Sequence, residues 1–328
     1  MSKINFDNLE LLNIIGKGAF GNVYLGKNKD TNEYYGVKLI EKSLLKDELS
    51  NKYFNNEISI LKKLDHPNII EYKGLLENEN NYYLLTEYCN GGTLDNAIKS
   101  YYKKYSLPMK ENIARYIILN ILKGIIYLNN NNYIHRDIKS NNILLQYDND
   151  EDLITNNYMK AKIKIIDFGF AKYLEKNELA RSIVGTPMYM DPIILNSLII
   201  SKDEKLKGFY DKKIDVWSLG ILTYELLIGI LPFLAKGLED LLYSIENRDY
   251  VIPKENKRNI QLTKYAINFI DKCLNIDINL RPIPIELIED KWFKNNDECK
   301  LKSLYVLKND NEIISQKRDY KFFNLNSS

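Results

Sequence analysis

The sequence predicts an α+β fold, with strands gathered toward the N-terminus and helices after them. Three observations carry that prediction. Short apolar runs, Leu11 to Ile15 and Val23 to Gly26, flank a glycine-rich turn, which is the pattern of a β-hairpin. Tyr82-Tyr83-Leu84-Leu85-Thr86-Glu87 reads as a buried strand that runs on through Tyr88-Cys89 into a break at Asn90-Gly91-Gly92. Beyond it, apolar positions recur at helical spacing from Leu262 to Cys273 and from Pro284 to Phe293, and Ile214 to Ala235 is apolar nearly throughout. With 328 residues, 45% of them hydrophobic, the chain is long enough to bury one large core or two smaller ones.

Composition removes several classes of function. Lys and Arg number 46 against 44 Asp and Glu, a formal charge of +2, so no global charge attracts nucleic acid or an acidic membrane, and neither is expected as a partner. The three cysteines, Cys89, Cys273 and Cys299, lack metal-ligand spacing and read as reduced thiols of a reducing compartment. Met1 to Leu12 has charges scattered through it and is no secretory signal, so the cytoplasm or the nucleus is the expected location. Ile214 to Ala235 approaches the length of a membrane span, but Asp215, Ser218, Glu225 and Pro232 interrupt it, so a buried helix is expected instead.

The elements then follow in order. Gly16-Lys17-Gly18-Ala19-Phe20-Gly21-Asn22-Val23 has glycines spaced to bring backbone N–H groups onto phosphate oxygens. Its strand-like flanks favour a hairpin over the strand-to-helix turn of a dinucleotide fold. Phe54, Ile58 and Leu61 recur at helical spacing and place Glu57 on a helix. Asp148-Asn149-Asp150-Glu151-Asp152 begins like a calcium loop, but Leu153 and Met159 stand where that loop needs Gly and Glu, so a solvated acidic loop is expected from Gln146 to Lys160. His135-Arg136-Asp137-Ile138-Lys139-Ser140-Asn141-Asn142, followed by Asp167-Phe168-Gly169, supplies two carboxylates and an amide of the kind that phosphoryl transfer requires.

Taken together, these motifs resemble the eukaryotic protein kinase family, of Ser/Thr type, over roughly residues 9 to 294. The resemblance implies a two-lobed fold: a small β-rich lobe with one main helix over 1–88, a larger mainly helical lobe over 89–294, and a polar tail over 295–328. It implies ATP and magnesium, with Ile15, Gly16, Gly18, Gly21, Val23, Gly36, Lys38, Glu57, Thr86, Glu87, Cys89 and Leu144 around the nucleotide. Lys38 would reach the phosphates and pair with Glu57, although a lone Lys or Glu is most often a solvated surface charge. Gly36 stands where the family usually has Ala, and Thr86 corresponds to the small residue behind the adenine site. Asp137 would orient the substrate hydroxyl, Lys139 would neutralise the transferring phosphoryl, and Asn142 and Asp167 would hold the metal.

Lys139, and Thr186 in Gly185-Thr186-Pro187, point to protein Ser/Thr substrates. Ile165 to Leu174 and Gly185 to Met190 are similar to the autophagy-initiating ULK-like kinases. Arg136 before Asp137 implies activation by phosphorylation, with Ser182 the best-placed acceptor, by an upstream kinase or by the protein itself. A monomer is expected. Asp215-Val216-Trp217 matches the helix whose Asp supports the catalytic loop. One departure stands out: Asp191-Pro192-Ile193 replaces the usual Ala-Pro-Glu, so the partner of Arg281 is missing and Arg281 is left to turn to Asp191 or to solvent, with a looser or rearranged substrate segment. Two rivals remain, a pseudokinase scaffold and a small-molecule phosphotransferase of the same fold.

Overall fold

In the computed structural model of the chain, the described residues are 4–18, 21–168, 187–200, 212–250 and 262–294. They fall into two compact units, one within Met1–Gly92 and Leu144–Tyr173, the other within Thr93–Ile143 and Leu174–Ser328.

The first unit is built on a five-stranded antiparallel sheet of order β1-β2-β3-β5-β4. Its strands are β1 (Leu9–Gly18), β2 (Gly21–Asn28), β3 (Tyr34–Glu41), β4 (Tyr72–Glu77) and β5 (Asn81–Glu87). The glycine turn is a hairpin, with Gly18 opposite Gly21 and Gly16 opposite Val23. Gly21 has φ +145°, and a Cβ there would lie 2.0 Å from the carbonyl oxygen of Leu39, so no other residue fits. One face of the sheet is sealed by Leu9, Tyr35, Val37 and Leu85. Helix α1 (Glu48–Leu61) starts where the Asp47 carboxylate accepts the Ser50 N–H at 2.8 Å, and it buries Phe54, Ile58 and Leu61 as their spacing predicts.

A two-stranded sheet of β6 (Ile143–Gln146) and β7 (Lys162–Ile165) completes this unit. Asn68 fastens β7, its carbonyl accepting the Ile165 N–H at 2.9 Å and its amide donating to the Ile163 carbonyl at 3.0 Å. Between the two strands the acidic segment contains a short helix, α4 (Asp150–Thr155), where an acidic loop is expected. Asn149 caps it at 2.8 Å, and Asp150, Glu151 and Asp152 sit in its first turn, where the helix dipole favours negative charge.

The second unit is helical. α2 (Leu94–Tyr105) and α3 (Glu111–Asn130) precede the loop of residues 135–142, and α5 (Pro192–Ile200), α6 (Ile214–Ile228), α7 (Leu238–Glu246), α8 (Lys264–Cys273), α9 (Pro284–Leu287) and α10 (Lys291–Lys294) follow it. Every residue of α6 is buried, and it packs against α3 and α8. The apolar run to Ala235 is thus a core helix that stops early. Gly229 adopts a left-handed conformation at φ +82° and its N–H caps the Glu225 carbonyl at 2.8 Å. The helix expected over Pro284 to Phe293 is two short ones, because the Asp290 carboxylate accepts the Trp292 N–H at 2.8 Å and restarts the turn.

Candidate active site

Strand β3 places Lys38 opposite Val23 and Leu84, and α1 brings Glu57 over it. The Lys38 Nζ lies 3.1 Å and 3.3 Å from the two carboxylate oxygens of Glu57, both side chains being largely buried. Burial works to lower the pKa of Lys38, but the charges of Glu57 and Asp167 outweigh it and hold the ammonium protonated. Burial also keeps Glu57 above the usual carboxylate range; the attraction of Lys38 opposes this and Asp167 adds to it. The predicted ion pair is therefore formed, with Asp167 as a second anion acting on it. Asp167 itself has φ +67°, a conformation that a non-glycine residue holds only where its surroundings impose it.

The register of β3 and β5 sets Gly36 against Thr86. A Cβ at residue 36 would stand 3.1 Å from the Thr86 hydroxyl and 3.7 Å from the Glu87 carbonyl, so the missing methyl leaves room beside the strand that runs into Cys89. The Thr86 hydroxyl lies 3.4 Å from the Gly36 carbonyl. The segment after β5 is laced to β6. The Gly91 N–H donates to the Leu145 carbonyl and the Leu145 N–H to the Gly92 carbonyl, both at 2.9 Å. The Gln146 amide donates to the Tyr88 carbonyl at 3.1 Å. The Asn90 side chain accepts the Tyr147 N–H at 2.8 Å and donates to the Tyr147 carbonyl at 3.1 Å. A Cβ on Gly91 would come within 2.8 Å of the Leu145 carbonyl oxygen, so the lacing requires glycine there.

Glu87 and Cys89 sit within this lattice. The Glu87 carboxylate accepts the Glu71 N–H at 2.9 Å and pairs with Lys164 of β7 at 2.6 Å. Burial pushes the Cys89 thiol up to about 12, the Glu87 charge adding to the rise and Lys164 opposing it. The residues assigned to the nucleotide, from Ile15 on β1 to Leu144 on β6, all belong to this one unit, as does Asp167.

The loop of residues 135–142 belongs to the other unit. The Asp137 carboxylate is held on two sides, by the Lys139 ammonium at 2.8 Å and by the Asn142 amide nitrogen at 2.6 Å. That amide nitrogen also donates to the Asp137 carbonyl at 2.9 Å, and the His135 ring accepts the Asp137 N–H at 3.3 Å. Amide and carboxylate oxygens are hard donors of the kind magnesium takes, and Asn142 in this unit and Asp167 in the other each carry one.

Arg136 has φ +69°, and the strain is met from α6. The Asp215 carboxylate accepts the His135 N–H at 2.8 Å and the Arg136 N–H at 2.7 Å, which gives Asp215 the supporting role expected of it. Burial raises its pKa, against the pull of His135 and Arg136. Beyond Lys139, the buried Ser140 hydroxyl lies 3.2 Å from the Tyr189 hydroxyl, which donates to Glu225, and Ser218 donates to the Tyr189 carbonyl at 2.9 Å. Arg281 turns to Asp191 and not to solvent. Ser182 and Thr186 lie outside the described residues.

Several residues of the site give no sequence signal. Lys164 reads as the outward position of an alternating strand, Asn90 and Gln146 as loop and strand-end amides, and Ser140 as an ordinary turn serine. Each acquires its role from a partner between 49 and 77 positions away.

Residues 9–293 match the sequence profile described as the protein kinase domain. The chain is 34% identical over 283 residues to calcium-dependent protein kinase 4 of Plasmodium berghei, a match covering 86% of this chain and 49% of that one. It is 34% identical over 286 residues to myosin light chain kinase A of Dictyostelium discoideum, covering 86% and 87% respectively. With calcium-dependent protein kinase 5 of Plasmodium falciparum the identity is 32% over 305 residues, covering 92% and 48%. The chain thus spans about half the length of the calcium-dependent kinases it matches. A lysine–glutamate pair in one unit, a carboxylate gripped by lysine and asparagine in the other, and a profile match running through both place this chain in the protein kinase family.

Proposed function

We propose that the protein transfers the γ-phosphoryl group of ATP to Ser and Thr hydroxyls of protein substrates, and that the residues described above divide the work. The observation that carries this reading is the Asp137 carboxylate, fixed between Lys139 and Asn142 on a loop held by Asp215. Asp137 accepts and orients the acceptor hydroxyl, and Lys139 neutralises charge on the moving phosphoryl. Lys38, set by Glu57, holds the α and β phosphates. Asn142 and Asp167 hold magnesium, which supplies charge neutralisation across the phosphate oxygens when bound. The backbone near Glu87 and Cys89 binds adenine, with Ile15, Val23, Gly36 and Leu144 around the base and Gly16, Gly18 and Gly21 over the phosphates. Phosphoryl transfer asks for little covalent chemistry from a protein, so this positioning provides most of the rate.

A pseudokinase scaffold lacks one of these groups, whereas Lys38, Glu57, Asp137, Asn142 and Asp167 are all present. Label transfer from γ-labelled ATP to a generic basic protein tests the reading. Asp137→Ala and Asp167→Ala are each expected to lower the rate by about 100-fold or more. Equal transfer by wild type and both variants would remove the enzyme reading.

The finer assignment to the ULK-like branch rests on Ile165 to Leu174 and Gly185 to Met190. Calcium dependence and myosin light chain are named for the relatives and are not carried over. Activation by phosphorylation of Ser182, from an upstream kinase or from the protein itself, is part of the same reading, as are a monomeric state and a cytoplasmic or nuclear location. Phosphatase treatment that leaves the specific activity of a Ser182-phosphorylated sample unchanged would count against the activation step.

A further inference from the structure

The chain reads Asp191-Pro192-Ile193 where the family resemblance implies a glutamate at 193, and Arg281 finds its carboxylate at Asp191 instead. Asp191 and Arg281 form an ion pair with both side chains wholly buried. Arg281 makes four hydrogen bonds here: its Nε and Nη2 donate to the Asn275 carbonyl at 3.1 Å and 3.0 Å, and its Nη1 donates to the Lys213 carbonyl at 3.0 Å as well as to Asp191. The guanidinium also lies 5.2 Å from the ring centre of Trp217. One side chain thus binds the approach to α6, the loop before α9 and the residue that opens α5. The other Asp191 oxygen accepts the Ile193 N–H at 2.9 Å, and its carbonyl accepts the Leu195 N–H at 3.0 Å, with Pro192 at the first helical position.

We propose that Asp191 is a positioning residue for the protein substrate, one carboxylate performing both the helix cap and the anchoring that a glutamate at 193 would otherwise share. The shorter side chain suffices because it starts from the cap position, at the end of the segment that has to be held. The effect reaches the catalytic loop through that segment. Met190 bonds back to Pro187 at 2.9 Å, and Tyr189, two residues before Asp191, meets Ser140 just after Lys139. The departure at Ile193 therefore relocates the anchor to Asp191.

This inference rests on the kinase reading, and its test separates the two. Asp191→Asn retains the cap oxygen and removes the charge beside Arg281. The expected result is a fall of about 10- to 100-fold in kcat/KM for a protein substrate, the range that slight misplacement of a reacting group produces, with nucleotide affinity in a direct titration unchanged. Asp191→Ala combined with Ile193→Glu returns a carboxylate to the other position, and recovery of substrate kcat/KM toward wild type is expected. Equal losses in nucleotide and substrate affinity, no loss in Asp191→Asn, or a double variant no better than Asp191→Ala would each overturn the proposal. A wild-type protein that transfers no phosphate would sink the kinase reading alone. Hydrogen exchange of the Tyr189 to Leu195 amides then decides: faster exchange in Asp191→Asn supports the anchor, and unchanged exchange refutes it.

Discussion

Replacing Lys164 by Met tests whether the strand leading to Asp167 and the segment after β5 are held together by charge. Met keeps the length and apolar stem of the side chain and removes the ammonium that lies 2.6 Å from Glu87. The two side chains are only 10% and 11% exposed, so the pair is screened far less than a surface bridge. Breaking a fully buried pair costs about 3–5 kcal/mol and an exposed one about 0.2–1 kcal/mol. Glu87 retains the Glu71 N–H at 2.9 Å after the substitution, which moderates the loss. The expected destabilisation is about 2–3 kcal/mol for Lys164→Met, with a similar figure for Glu87→Gln. The double variant should be less destabilised than the sum of the two by at least about 1 kcal/mol, since removing both partners leaves no buried charge. Urea unfolding of the four proteins at constant slope measures the cycle. Single losses that add within about 0.5 kcal/mol would show that the two groups are neighbours without being coupled, and the reasoning would fail.

Two other expectations concern the same region. Asn90→Ala removes both bonds to the Tyr147 backbone and leaves a buried N–H and carbonyl to find other partners, so a loss of about 1–3 kcal/mol is expected in urea unfolding, with weaker nucleotide binding in a titration; an unchanged midpoint would contradict it. Cys89 has a thiol pKa near 12 in the folded chain against an ordinary value of 9.0. The folded value is the higher one, so the stabilising contribution is intact below about pH 9 and is lost as the pH climbs toward 12. Iodoacetamide labelling of the native protein at about pH 8, read on the Cys89 peptide by mass spectrometry, should be far slower than in the urea-unfolded chain, and equal rates would refute the burial argument.

The parts of the site that were legible in the sequence are those whose chemistry is carried by neighbours along the chain. Glycines at 16, 18 and 21 announce a hairpin because the required conformation and close approach exclude a side chain at Gly21. Asp137, Lys139 and Asn142 lie within six residues of one another, so a single turn brings them into contact. Helix α1 follows from the spacing of Phe54, Ile58 and Leu61, and that helix carries Glu57 to Lys38. Element boundaries were less legible. The long apolar run beginning at Ile214 gives no hint in its hydrophobicity that Gly229 ends the helix, and the periodicity from Pro284 to Phe293 does not reveal that Asp290 interrupts it.

By itself the sequence carried the motifs on which the proposed chemistry rests: the glycine turn, the Asp137, Lys139 and Asn142 cluster, and Asp167. Those motifs belong to residue types and short spacings. Only the tertiary structure decided which distant charges share a desolvated space, setting Lys164 on Glu87 and Arg281 on Asp191. The reason is that a buried charge must find an opposite charge or a hydrogen-bonding partner wherever packing brings one near, and that proximity is a property of strand register and helix packing, not of distance along the chain.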